Sequence, residues 1–172
     1  MLKESIEAKL NDQLNKELYS AYLYFSMAAY FESISLKGFA SWMKIQAQEE
    51  LAHVARLFDY INDRSGRVRL GPVDEPPGDW DSPIAVMQNA YEHECWVSEK
   101  INECVTLALA ENDHSTNTFL QWFVAEQVEE EATADEIVQK LKLIGDNSSG
   151  LFLMDNEVGG RSADSGDGAA GA

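Results

Sequence analysis

The stretch IEAKLNDQLNKELYSAYLYFSMAAYF, residues 6–31, decides the fold. Ile6, Leu10, Leu14, Ala21, Tyr24, Ala28 and Phe31 recur at helical spacing and mark one apolar stripe, and Glu17 stands inside it. A buried carboxylate without compensation costs several kcal/mol, so the pattern demands something positive beside it.

The same fault recurs in three further stripes. Met43, Ala47, Val54, Leu57 and Ile61 enclose Glu50; Ile84, Met87, Tyr91, Ile101 and Val105 enclose Glu94; Phe119, Phe123, Ala134, Ile137 and Leu141 enclose Gln127 and Glu130. These stripes predict four long helices, at about 3–33, 38–64, 83–111 and 115–144, with no proline beyond a first turn. Gly38 opens the second, Ser82-Pro83 supplies a cap and a first-turn proline, Asn112 to Ser115 separates the third from the fourth, and Gly145 stops the fourth.

Link lengths set the topology. The first and third links are short and make antiparallel hairpins, whereas residues 65–82 form a long crossover, extended over Arg67 to Val73 and turning at Glu75-Pro76-Pro77-Gly78. The expected architecture is all-α, a four-helix bundle with one long crossover. A fifth, short helix is expected near residues 147–158, capped by Ser148-Ser149, its Leu151 to Met154 cluster docking on the bundle or on another subunit. Residues 1–158 make one domain, and the Gly, Ala, Ser and Asp composition of 159–172 predicts a disordered tail.

Between Leu18 and Phe31 the first helix is apolar almost all round, with Tyr19, Tyr22, Phe25 and Tyr30 flanking the core stripe. One bundle buries one face, so self-association through the outer face is expected, against the alternative of an unusually apolar monomer surface.

Composition excludes some classes. The 172 residues are 45% hydrophobic and suffice for one cored domain. A formal charge of −17 argues against nucleic acid or an anionic membrane and points to cations as clients, although a solvated acidic surface accounts for much of the excess. Cys95 and Cys104 would lie about 13 Å apart along a helix, on opposite faces, too far to bridge. Free thiols, the absence of a signal-peptide pattern near Met1 and the lack of an apolar run of membrane length give a cytoplasmic expectation.

The polar intruders lie near the helix midpoints: Glu17, Glu50 with His53, Glu94, and Gln127 with Glu130. In an antiparallel bundle they would share a level within roughly 6 Å along the axis. Glu50 and His53 at i, i+3 project from one face and can chelate one ion; alone the pair is a weak signal, but among three more core carboxylates it describes a two-metal centre. Four carboxylates match two divalent cations in charge, like charges would raise one another's pKa values, and oxygen-rich ligation with one imidazole suits iron or manganese better than zinc. Tyr24 falls on the same face as Glu17; hydrogen-bonding a ligand, supplying an electron and ordinary core packing stay open for it. His93 is expected to face outward or a neighbour, His114 to cap or be solvated, and Trp122 to pack in the core. Glu126, Glu129, Glu130 and Glu131, with Glu49 on the second helix, suggest a second, more exposed cation site or a solvated face.

Asn15-Lys16-Glu17-Leu18, Gln48-Glu49-Glu50-Leu51-Ala52-His53, Glu94 and the run from Trp122 to Glu131 together resemble the ferritin family, particularly its bacterial haem-free members, over residues 3 to about 158. The resemblance implies that Glu17, Glu50 and His53 hold a first ferroxidase iron, that Glu50 bridges, and that Glu94 and Glu130 serve a second, with Gln127 nearby. Glu49, Glu126 and Glu129, sharing Glu130, resemble a third iron site. Bacterioferritins have a Glu and then a His where Gln127 and Glu130 stand, and the haem-binding relative has a Met where Ala52 stands, so no haem is expected. Unlike the mini-ferritins, which place ligands across a subunit interface, this chain keeps its ligands in one bundle.

The implied activity is ferroxidation: Fe(II) is oxidised pairwise by O2 or H2O2 and stored as ferric mineral within a homo-oligomeric shell of 24 subunits. Two rivals are a rubrerythrin-type di-iron oxidase or peroxidase without storage, which would bring a second Glu-x-x-His and a cysteine-rich iron domain, and a shell subunit that stores without oxidising.

Overall fold

A computed structural model describes residues 2–161. It contains five helices among these residues: α1 Glu4–Ser33, α2 Lys37–Asp63, α3 Pro83–Ala110, α4 His114–Ile144 and α5 Ser148–Val158. The four long helices begin and end within about a residue of their expected limits, which is the normal uncertainty of helix ends. α1 packs on α2 and α3 on α4 as hairpins, α1 also meets α3, and α5 lies against α2 and α4.

The chain punctuates its helices by capping. Ser82 accepts from the Ala85 amide ahead of Pro83, and Asp113 accepts from the Thr116 amide at 3.1 Å, held by Arg64 at 3.0 Å. His114 is therefore the exposed first residue of α4, and its neighbour provides the cap. Gly145 ends α4 with φ 55, in the left-handed region that glycine enters without a Cβ penalty. The expected Ser148-Ser149 cap of α5 is corrected by one position: Asn147 Oδ1 accepts from Ser149 and Gly150, because an asparagine side chain reaches the second and third amides beyond it.

The crossover between α2 and α3 is irregular, so its backbone groups need partners. Two asparagines one turn apart on α1 supply them. Asn11 accepts from the Arg69 amide at 2.6 Å and donates to the Arg67 carbonyl at 3.0 Å, while Asn15 accepts from the Gly71 amide at 2.8 Å. α5 seats tightly on the start of α2: Asp155 Oδ1 accepts from the Phe39 amide at 3.0 Å, and a Cβ on Gly38 would lie 1.7 Å from the Asp155 carbonyl oxygen. Of the segment beyond Gly159, residues 162–172 lie outside the described residues.

The buried apolar residues fall into two clusters. One holds Met27, Phe31, Phe39, Met43, Met87 and Val138; the other holds Leu10, Leu14, Leu57, Ile61, Ile101 and Phe123. Each long helix passes from one cluster to the other, and the residues in between are the buried polar ones. Tyr22 and Phe25 on α1, and Leu70 on the crossover, are exposed, as expected for an apolar outer face. Cys95 and Cys104 are free, and no helix among the described residues is long and apolar enough to cross a membrane.

Candidate metal centre

Between the two apolar clusters lies a layer of Gln13, Glu17, Ser20, Gln46, Glu50, His53, His93, Glu94 and Gln127, all buried. Glu17, Glu50, Glu94 and Gln127 stand in stripes that continue as buried apolar residues in both directions, so the helices deliver these polar groups to one level by register. At that level Glu17 from α1 and Glu50 with His53 from α2 converge. Among the described residues these form the one set of three or more His, Cys, Asp or Glu side chains whose ligand atoms lie within 4.8 Å of one another.

His53 Nδ1 stands 3.8 Å from Glu17 Oε2 and 3.5 Å from Glu50 Oε2. These separations are long for hydrogen bonds but short for electrostatic attraction in a buried setting. Trp122 and Phe123 meet the imidazole edge-on at 5.4 and 5.7 Å and fix its plane. Gln13 donates to Glu17 Oε1 at 2.8 Å, which leaves Glu17 Oε2 and Glu50 Oε2 buried with no hydrogen-bond partner. Two unpartnered carboxylate oxygens facing an imidazole are costly in a protein by itself, and they suit a cation between them.

Charge is shared unequally. Burial alone would raise the Glu17 pKa, but attraction to His53 and the Gln13 hydrogen bond outweigh it and hold the carboxyl below its ordinary value. Glu50 goes the other way, well above the ordinary range, because burial and the charges of Glu17 and Glu94 outweigh the help from His53. Burial would lower the His53 pKa, yet the two carboxylates lift it well above its ordinary value. One carboxylate thus tends to keep its charge beside an imidazolium, and a second tends to hold a proton.

Glu94 enters from α3. Burial and the nearby charge of Glu130 push its pKa up to about 7, against the opposing hydrogen bonds from Tyr24 and Gln127. Tyr24 donates to Glu94 Oε1, and Gln127 Nε2 donates to Oε2 at 3.0 Å. Of the three readings open for Tyr24, the hydrogen-bonding one matches this contact, and burial beside Glu94 and Glu50 raises the phenol pKa well above normal. Glu130 is half-buried, and its Oε2 accepts from Gln46 Nε2 at 2.7 Å. Glu94 and Glu130 stand outside the close trio.

The outer acids are more dispersed. Glu49 and Glu126 are half-buried and have pKa values raised by burial, and Glu129 is exposed. Glu49 is paired with Arg161 at 2.7 Å. Of the two placements expected for His93, outward or toward a neighbour, the second is found: it is buried against α1, its Nε2 2.8 Å from Ser20 Oγ, stacked on Trp96, and burial lowers its pKa to about 4. A turn of about 100° from Glu94 points it at α1, where Tyr19, Ser20 and Tyr24 meet it. Sequence reading passed over Gln13 and Gln46, although each is an amide one helical turn before a core glutamate, Glu17 and Glu50 respectively. That spacing was the available signal.

Fold and site define a class: an all-α bundle with one long crossover, whose buried mid-level polar layer brings Glu17, Glu50 and His53 together as a candidate metal group. The ferritin-like domain family matches residues 7–144, and the chain belongs to the ferritin family. It is 43% identical over 161 residues to a bacterial non-heme ferritin of Bacteroides fragilis (strain 638R), covering 94% of this chain and 100% of the relative. It is 40% identical over 158 residues to a bacterial non-heme ferritin of Escherichia coli O157:H7, covering 92% and 96%. Among solved structures, an open pore ferritin from the hyperthermophilic archaeon Archaeoglobus fulgidus superposes with a TM-score of 0.93 at 52% identity, covering 94% of this chain and 100% of that one.

Proposed function

We propose that the chain is an iron-storing ferroxidase: it takes up Fe(II) in its bundle, oxidises it in pairs and passes Fe(III) to a mineral inside a hollow homo-oligomeric shell of 24 subunits. The observation that carries this reading is the pair of buried, unpartnered oxygens, Glu17 Oε2 and Glu50 Oε2, turned toward His53 Nδ1. Hard oxygens with one imidazole suit ferrous and ferric iron.

In this reading Glu17, Glu50 and His53 take the first ferrous ion, Glu50 is shared, and Glu94 with Glu130 takes the second, Gln127 orienting Glu94. Two Fe(II) ions lose one electron each. The pair reduces O2 with two protons to H2O2, or H2O2 with two protons to two waters. The protein contributes placement and electrostatics, holding two donors beside one oxidant and offering negative charge that grows more stabilising as Fe(II) becomes Fe(III). Ion entry displaces the proton favoured on Glu50 and shared on Glu94.

The exposed aromatics of α1, with Leu70 and Val73 of the crossover, support burial against further copies, and the −17 charge supports drawing cations inward. Ala52 supports the absence of haem, and a cytoplasmic location goes with the free thiols. Glu50→Ala tests the assignment: initial rates of aerobic ferrous oxidation are expected to fall at least tenfold while assembly by gel filtration is unchanged. Unaltered initial rates would overturn the reading.

A further inference from the structure

Arg161 follows α5 directly and returns to α2. Its Nη2 lies 2.7 Å from Glu49 Oε2, its Nη1 donates to Gln46 Oε1, and its guanidinium carbon sits 5.0 Å from the centre of the Trp42 ring. Trp42, Gln46 and Glu49 are spaced by four and three along α2 and form one face, so a single guanidinium engages all three. The placement is built into the fold. A Cβ on Gly159 would lie 2.8 Å from Gly38 Cα, so only two glycines let the end of α5 approach α2 this closely, and the Arg161 amide then donates to the Val158 carbonyl at 3.2 Å.

We propose that Arg161 is a tethered cation that occupies the outer carboxylate face of the centre, competing for Glu49 with a third metal ion and holding Glu130 through Gln46. This rests on the ferroxidase reading, in which Glu49, Glu126, Glu129 and Glu130 take an outer ion. The guanidinium and an ion on Glu49 Oε2 exclude each other by charge and by space. Gln46 passes the effect inward, because the amide whose oxygen accepts from Arg161 donates its Nε2 to Glu130 Oε2 at 2.7 Å. The ion pair is partly exposed, with 26% of the Arg161 side chain and 19% of the Glu49 side chain accessible, so it is weak enough to be displaced. Outer-ion binding therefore frees the end of α5, and Arg161 sets the concentration at which this occurs.

The test uses the assembled, iron-free protein titrated with Tb(III), a redox-inert probe, in excess Mg(II) to block exposed carboxylates, with ions counted per subunit by calorimetry and tryptophan-sensitised luminescence. Wild type should bind an inner pair tightly and a third ion weakly. Arg161→Gln should tighten the third step about fivefold, leaving the inner pair unchanged, and Arg161→Lys should stay near wild type because it keeps the charge. An inner pair with an unchanged third step in Arg161→Gln would overturn the role of Arg161 alone. Absence of a tight inner pair in both proteins would overturn the cation-centre reading and the role of Arg161 with it.

Discussion

Gln13 donates to Glu17 across one turn of α1, Nε2 to Oε1 at 2.8 Å, and thereby aims the other carboxylate oxygen at His53. The amide carries no charge, so its part is to fix a rotamer and to help hold the Glu17 pKa down. Gln13→Leu keeps the volume and removes the donor. Affinity of the iron-free protein for a first divalent ion is expected to fall about tenfold, read by calorimetric titration with Zn(II). Equal affinities would mean that packing alone orients Glu17.

Stability of the iron-free protein should fall as pH rises. Glu94 is lifted from 4.5 to about 7, so the folded protein holds a proton there that the unfolded chain has lost. Its contribution is complete below pH 4.5 and is lost as the pH climbs to 7, a change of the order of a few kcal/mol. His53 acts in the same sense, its contribution fading as the pH passes upward through its raised value. Glu17, whose pKa is lowered, opposes this only on acidification below 4.5. Glu50, raised well above its ordinary value by burial, declines in the same sense. Thermal unfolding followed from pH 4.5 to 7 should show the decline, and Glu94→Gln should reduce its slope without abolishing it.

Tyr24→Phe removes the hydroxyl that donates to Glu94 and leaves the ring in place. That bond favours the ionised carboxylate, so its loss should move Glu94 titration upward from about 7. Infrared pH titration of the buried carboxyl band reads this directly. Ferrous oxidation at neutral pH is expected to slow about tenfold, since a hydrogen bond to a buried charge contributes on the order of 1.5–3 kcal/mol. A slow rate with an unmoved carboxyl band would point instead to the phenol as an electron donor.

Gly38→Ala drives a Cβ to within 1.7 Å of the Asp155 carbonyl oxygen and cannot be absorbed by a flexible side chain. A loss of about 3 kcal/mol is expected, with α5 lifted from α2 and faster protease cleavage after Gly145. Gly78→Ala is the matched control, because a Cβ there meets nothing within 4 Å, and its effect should stay within about 0.5 kcal/mol.

Much of this was legible in one dimension. The interrupted stripe from Ile6 to Phe31 specifies both a buried helix and the height of its acid, since helical period is a local property. The long crossover separates hairpins by length alone. Caps were legible to within a residue, and the shift from Ser148 to Asn147 reflects how far an asparagine reaches. For His93 the sequence left outward and neighbour-facing placements open, because exposure depends on how much of a helix its neighbours cover. Arg161 stood in a segment whose composition suggested disorder, and nothing near it in sequence pointed to Glu49, 112 residues away.

By itself the sequence determined the helices, their connection and which carboxylates interrupt the apolar faces, because periodicity, turn chemistry and link length are carried by neighbouring residues. The tertiary structure decided which acid tends to keep its charge and which its proton, which amide bonds which oxygen, and which guanidinium pairs with Glu49. Those outcomes depend on distances of a few ångströms between helices, such as Tyr24 to Glu94 across 70 positions, and electrostatics at that range is set by packing and by the exclusion of water.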